Sequence, residues 1–194
     1  LSRYRSDNPL AELARQAGVQ AHRDAMFAGE AINHTEQRAV MHCLLRKPPL
    51  ALVEPAQAAP EIIANELPKV HATLSAMLAY AQAVRADAGI TDVVNIGIGG
   101  SDLGPQMAVL ALEGFVLEGK RFHFVSNVDG HELAALLKRI KPESTLFLIA
   151  SKTFTTIETM TNAQSAKAWF ESSGGTDIAR HFCALTTNVP AANA

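Results

Sequence analysis

The sequence predicts an α/β protein, a parallel sheet flanked by helices, preceded by an N-terminal helical arm. Three observations carry this expectation. After Gly89, short β-branched and apolar runs alternate with segments of helical length. The run over 144–150 is nearly continuous in apolar residues, as strands buried on both faces are. Before Gly89 the apolar residues recur at helical spacing and no strand pattern intervenes. Strands joined through helices imply right-handed crossovers, which place helices on both faces of a parallel sheet.

Taken in order, Asn8-Pro9 offers a cap with proline at the first helical position, and Leu10, Leu13, Ala14, Ala17 and Ala21 then predict one helix that stops at Gly29. Asn33-His34-Thr35-Glu36 resembles a capping box, so a second helix is expected up to Arg46, pairing with the first as an α-hairpin. Residues 50–67 are rich in Ala and Pro and read as connection with at most one short helix. Pro68 then opens a longer helix, apolar at Val70, Leu74, Met77, Leu78, Ala81 and Val84, which Gly89 closes. Strands are expected over 91–98, 121–126, 144–150 and 181–187, and helices over 105–118, 131–141 and 156–172. There is no internal repeat and no low-complexity tract.

Composition bounds the function. The chain has 194 residues, 48% hydrophobic and 19% charged. At that length a fold hides roughly 70% of the surface of its unfolded chain, enough for one domain with an appended arm. A net charge of -2, with no window that concentrates Lys and Arg among aromatics, argues against a nucleic-acid partner. Cys43 and Cys183 have no zinc-ligand spacing and suit a reducing, cytoplasmic compartment. No apolar run reaches membrane-span length, so no membrane association is expected. The chain opens Leu-Ser-Arg-Tyr without Met, and it reads as an excerpt of a longer protein.

In an open parallel sheet ligands collect beyond the carboxyl ends of the strands, so the turns leaving the strands are the candidate sites. One is Asn95-Ile96-Gly97-Ile98-Gly99-Gly100-Ser101-Asp102-Leu103-Gly104-Pro105, whose glycines let backbone approach a ligand just before a helix start, where free amides and the macrodipole favour an anion. It is not a dinucleotide fingerprint, because Asp102 stands where the third glycine belongs, nor a Walker A loop, because Pro105-Gln106 follows Gly104. The plainer alternative is a turn that needs glycine only for its backbone angles. The other is Ser151-Lys152-Thr153-Phe154-Thr155-Thr156: four hydroxyls and an ammonium in six residues, suited to a phosphate monoester. Its plainer alternative is a capping cluster with Thr155 or Thr156 as N-cap. His131 reads as helix-start polarity. His22, His34, His42, His71, His123 and His181 show no ligand arrangement and read as structural or surface residues. Asp102 reads as a helix cap or as a group that orients donors.

Ile96-Gly97-Ile98-Gly99-Gly100-Ser101-Asp102-Leu103-Gly104-Pro105, Phe124-Val125-Ser126-Asn127-Val128-Asp129-Gly130 and Ser151-Lys152-Thr153-Phe154-Thr155-Thr156-Ile157-Glu158-Thr159 together resemble the glucose-6-phosphate isomerase family. Gly29-Glu30-Ala31-Ile32-Asn33-His34-Thr35-Glu36-Gln37-Arg38-Ala39-Val40 resembles that family's helical arm, so the likeness spans nearly the whole chain. The connection between Ala88 and Thr91 is shorter than the family pattern. The resemblance implies a sugar-isomerase (SIS) fold of the flavodoxin-like kind over 91–194, with 1–90 as helical arm and lead-in helix, both parts of a longer parent enzyme.

It also implies interconversion of glucose 6-phosphate and fructose 6-phosphate through an enediol, a step of glycolysis and gluconeogenesis, with no metal or organic cofactor and a homodimeric parent. Ser151, Lys152, Thr153 and Thr156 correspond to the phosphate-binding group, and Gly100 and Ser101 to the sugar-phosphate pocket. The family's catalytic glutamate, arginine, histidine and lysine lie in motifs without counterpart here. Glu158 and His131 do not match those motifs, so no catalytic residue is assigned and the chain is expected to be inactive alone. Two other readings are a non-enzymatic phosphosugar-sensing SIS module and a nucleotide-dependent oxidoreductase. The second is disfavoured by Asp102 and by Ser126 and Asn127 where an acidic residue belongs.

Overall fold

The computed structural model describes residues 9–49 and 60–193. Two compact units divide after Ala81.

In the first unit, the helix expected up to Gly29 is two helices, α1 (Pro9–Gln16) and α2 (Val19–Ala28), because Gly18 takes a left-handed φ of 65° between them. The apolar spacing continues through Ala17 and hides this break. Gly29 ends α2 as expected, at φ 78°, and a Cβ on it would lie 2.5 Å from Ile62 Cγ2, so both conformation and packing require glycine. Asn8, the expected cap, lies outside the described residues.

The second helix of the expected hairpin does not form. Asn33 Oδ1 does accept from early amides, those of Thr35 and Glu36, at 3.1 Å each. The chain then folds back, with Asn33 and Arg38 bridged antiparallel and Gln37 at φ 52°. Only a 3-10 turn follows, His42–Arg46. An Asx turn and a capping box begin with the same bonds, and here the turn prevails. Leu44 from the 3-10 turn is fully buried with Ile63 and Leu67 of α3 (Glu61–Ala86), which starts before Pro68 and runs through it. Pro68 removes one helical hydrogen bond, but apolar positions on both sides of it pack against Leu44, Met41 and Cys43, which keeps the helix continuous. The connecting segment expected over 50–67 therefore ends by Glu61, and residues 50–59 lie outside the described chain.

The second unit is the expected α/β unit. Its strands are β1 (Asp92–Gly97), β2 (Arg121–Val125), β3 (Thr145–Ala150) and β4 (Phe182–Leu185). They pair in the order β2-β1-β3-β4, every pair parallel. The connecting helices are α4 (Gly100–Ala111), α5 (Gly130–Leu137), α6 (Ile157–Ser172) and α7 (Ile178–His181), and α8 (Val189–Ala192) follows β4. The crossover from β1 to β2 runs opposite in direction to those that lead on to β3 and β4. Right-handed connections therefore put α4 on one face and α5 and α6 on the other.

Alternate residues of each strand serve each face. Val94, Ile96, Val125, Phe147 and Ile149 pack with Leu133 and Leu136 of α5 and Ala166 of α6. Val93 and Leu146 pack on the opposite side with Ile90, Val84 and Cys183. Phe147 stacks on Phe182 at 4.8 Å and meets Trp169 edge-on at 6.1 Å, so aromatic contacts tie β4 and α6 to the central strands.

The amino ends of the strands carry a polar lock. Asp92 is fully buried and accepts from Arg121 Nε at 2.8 Å, Arg121 Nη2 at 2.6 Å and Thr91 Oγ1 at 2.9 Å, with His123 Nε2 at 2.8 Å. Burial by itself would raise its carboxyl pKa, but the bonds from Arg121, His123 and Thr91 outweigh burial and hold it at about 2. Beside it, Lys120 Nζ donates to the carbonyls of Val84 at 3.0 Å, Asp87 at 2.6 Å and Ile90, closing the end of α3 onto the entry to β1.

Candidate functional site

The strand order reverses between β1 and β3. Successive connections leave these neighbours in opposite directions, and in open parallel sheets the carboxyl ends at such a reversal are where ligands bind. Gly97 and Ala150, the last residues of the two strands, are register partners. The two donor-rich turns singled out in the sequence therefore start side by side.

The first turn is shaped by contact as well as by conformation. A Cβ on Gly97 would lie 2.8 Å from the Ser101 carbonyl oxygen and 2.9 Å from Ser101 Cβ, so glycine lets the helix start fold directly onto the strand. Asn95 braces the same point by donating from Nδ2 to the Ser101 carbonyl at 2.9 Å. Gly99 takes φ 58°, and α4 begins at Gly100, earlier than the expected start at Pro105. Pro105, the sixth residue of the helix, has a fixed φ that is helical, and the Ser101 carbonyl that its missing N–H would have met accepts from Asn95 Nδ2 instead. A Cβ on Gly100 would meet nothing within 4 Å, so what faces this glycine is open space. Asp102 is not exposed at the mouth of the turn: it is 4% exposed and its Oδ1 has no hydrogen-bond partner.

The second turn joins β3 to α6. Ser151 is buried, Lys152, Thr153 and Thr155 are exposed, and Thr156 is half-buried. Thr156 occupies the N-cap position of α6, yet its side chain makes no capping bond. Its hydroxyl instead accepts from Ser151 Oγ at 3.3 Å, while the Thr153 and Thr155 hydroxyls lie 2.7 Å apart. The hydroxyls thus cluster with one another rather than capping the helix. Phe154 takes a left-handed φ of 57°, rare for an aromatic residue, and its ring packs against the main core.

Sequence reading missed how these turns are braced. The turn after β2 is held by Glu132, whose carboxylate accepts from the amides of Ser126 and Asn127, and by buried Asn162, which donates to the Asn127 carbonyl at 2.8 Å. The 151–156 turn is held by Thr186, Thr187 and Asn188, which follow β4. The polar cluster Thr186-Thr187-Asn188 at a strand's carboxyl end was the available signal. His131 lies at the start of α5, where Asp129 caps its amide, as its helix-start reading expects. His123 belongs to the Asp92 lock and His181 is buried with Nδ1 2.7 Å from the Thr145 carbonyl. Among the described residues no group of three or more His, Cys, Asp or Glu is placed to hold a metal ion, and no helix is long and apolar enough to cross a membrane.

The model of the phosphoglucose isomerase family matches residues 4–194. The chain belongs to that family. It is 75% identical over 188 residues to a glucose-6-phosphate isomerase of Albidiferax ferrireducens, a match covering 97% of this chain and 36% of the relative. It is 72% identical to that of Polaromonas naphthalenivorans, covering 95% of this chain and 35% of the relative. The crystal structure of a glucose-6-phosphate isomerase from Chlamydia trachomatis superposes with a TM-score of 0.73 at 30% identity, over 90% of this chain and 33% of that one. The chain thus spans about a third of the length of the relatives it matches. Family membership agrees with the resemblance carried by the three turn motifs, and with a four-stranded parallel sheet flanked by helices.

Proposed function

We propose that this chain supplies the phosphosugar-binding part of a glucose-6-phosphate isomerase, which interconverts glucose 6-phosphate and fructose 6-phosphate in glycolysis and gluconeogenesis. The observation that carries the reading is the pairing of Gly97 with Ala150, which starts the glycine turn and the hydroxyl-rich turn side by side in a chain of this family. Ser151, Lys152, Thr153 and Thr156 bind the phosphate: an ammonium and hydroxyls supply a cation and several donors at the start of a 16-residue helix. Gly100 and Ser101 line the sugar-phosphate pocket, with the open space at Gly100 admitting the ligand backbone-close.

The reaction moves a proton between C1 and C2 of the opened sugar through an enediol, with no cofactor. This chain contributes anchoring. Fixing the phosphate holds the reacting carbons in place for acid–base groups carried by the rest of the relatives' length, and orientation of that kind is what makes proton transfer efficient. The helical arm and lead-in helix, 1–90, and the SIS unit, 91–194, act as parts of that longer enzyme, a cytoplasmic homodimer without nucleic-acid or membrane partners.

Isothermal titration with glucose 6-phosphate, with glucose and inorganic phosphate as paired controls, tests the reading. Binding of the phosphosugar but not of glucose is the expected result. A folded chain that binds glucose as well as glucose 6-phosphate, or binds neither phosphate compound, overturns the assignment of the pocket to this chain. A coupled assay should register no turnover by the chain alone.

A further inference from the structure

We propose that the segment leaving β4, Thr186-Thr187-Asn188, is a clamp that positions the 151–156 turn for anion binding by turning its carbonyls away from the ligand. The inference rests on the phosphosugar reading of that turn. Three donors converge on one oxygen: the Lys152 carbonyl accepts from the Thr187 amide at 3.0 Å, Thr186 Oγ1 at 3.0 Å and Thr187 Oγ1 at 2.8 Å. The next carbonyl, that of Thr153, accepts from Asn188 Nδ2 at 3.0 Å. The clamp is itself ordered, since the Asn188 amide donates to Thr186 Oγ1 at 3.0 Å.

The carbonyl and amide of one trans peptide point in opposite directions. Pinning the Lys152 oxygen from the β4 side therefore aims the Thr153 N–H away from the clamp. A carbonyl turned towards a phosphate would repel it, whereas an amide stabilises it, so the sense of this one peptide decides whether the turn attracts or rejects an anion. The backbone bears the mark of being held. Phe154 keeps a left-handed φ of 57°, a conformation an aromatic residue retains only when its surroundings enforce it. Its amide donates to the Ser151 carbonyl at 3.3 Å, its ring packs on the core, and the clamp fixes the two peptides before it. Capping of the short α8 explains only part of this arrangement: Asn188 Oδ1 accepts from the Ala191 amide, but both threonine hydroxyls go to Lys152.

Amide-resolved NMR of the whole chain tests the clamp with and without ligand. The variants are Thr187→Val, the double change Thr186→Val with Thr187→Val, and Thr187→Ser as the conservative replacement. Ser165→Ala removes a surface hydroxyl that bonds only within α6 and serves as the control. Without ligand, the valine variants should shift the amides of 152–155 while those of β1 and β3 stay in place, and Thr187→Ser should restore the original positions. On titration with glucose 6-phosphate, apparent affinity should fall about tenfold in the double variant, the loss expected when the Thr153 amide no longer reaches a charged phosphate, and remain unchanged in Ser165→Ala. Ligand-free shifts unmoved by the valine changes overturn the clamp, whatever the ligand does. Shifts that move in an original chain unresponsive to both glucose 6-phosphate and inorganic phosphate overturn the phosphosugar reading, and with it the purpose assigned to the clamp. A lowered melting temperature with unchanged 152–155 shifts and unchanged affinity assigns the three residues to stability alone.

Discussion

Gly97 and Ala150 face each other as the last register pair of two neighbouring parallel strands, and from that pair the chain departs in opposite directions. Every donor assigned to the phosphosugar site lies within six residues of one or the other.

Lys152→Ala should weaken glucose 6-phosphate binding by roughly ten- to hundredfold, since a hydrogen bond to a charged group contributes about 1.5–3 kcal/mol. Lys47→Ala, a change in the first unit, should leave affinity alone. Titration calorimetry on the two variants compares them directly, and equal losses would refute the placement of the phosphate.

Gly97 and Gly100 should differ in how alanine affects stability. In Gly97→Ala the new methyl meets the Ser101 backbone at 2.8 Å, so the melting temperature and the affinity should both fall, with about 1–3 kcal/mol of destabilisation. In Gly100→Ala the methyl enters open space on a helix, so stability should hold or rise while affinity falls. Retained affinity in Gly100→Ala would show that ligand does not approach this glycine.

Asp92 should make stability fall in acid. Its folded pKa, about 2, lies below the ordinary carboxylate value, so its contribution is complete above pH ~4 and is lost as pH falls through about 2. That contribution is on the order of 2–3 kcal/mol. Denaturant unfolding between pH 7 and pH 2 should show the slope, and Asp92→Asn should flatten it and be less stable at pH 7. The lock lies at the amino ends of the strands, so phosphosugar affinity of the folded variant should not change.

Lys120→Met keeps most of the side chain's bulk but leaves the carbonyls of Val84, Asp87 and Ile90 without their shared donor. About 2 kcal/mol of destabilisation is expected. Thermal unfolding followed by circular dichroism reads it, and an unchanged midpoint would assign those carbonyls to solvent.

The order of strands and helices after Gly89 was legible because buried parallel strands are apolar on both faces, and every expected strand formed within three residues of its expected ends. The helical arm was less legible. Gly18 breaks a helix whose apolar spacing runs on undisturbed, Asn33 starts a turn with the same bonds that start a helix, and Pro68 sits inside a helix it was expected to open. At Pro68 the deciding partner is distant in sequence: Leu44 packs against Ile63 and Leu67 on the helix that runs through it.

The sequence by itself determined the fold class, the family and the two donor-rich turns, because glycine, hydroxyl and lysine content at strand ends is a local property. Tertiary structure alone decided that those turns start side by side, since adjacency of β1 and β3 depends on strand order. It also decided that Thr156 turns to Ser151 instead of capping its helix, and that Thr186, Thr187 and Asn188 hold the carbonyls of Lys152 and Thr153. Hydrogen bonds across more than thirty residues of chain depend on how β4 is laid beside β3, and no local pattern encodes that.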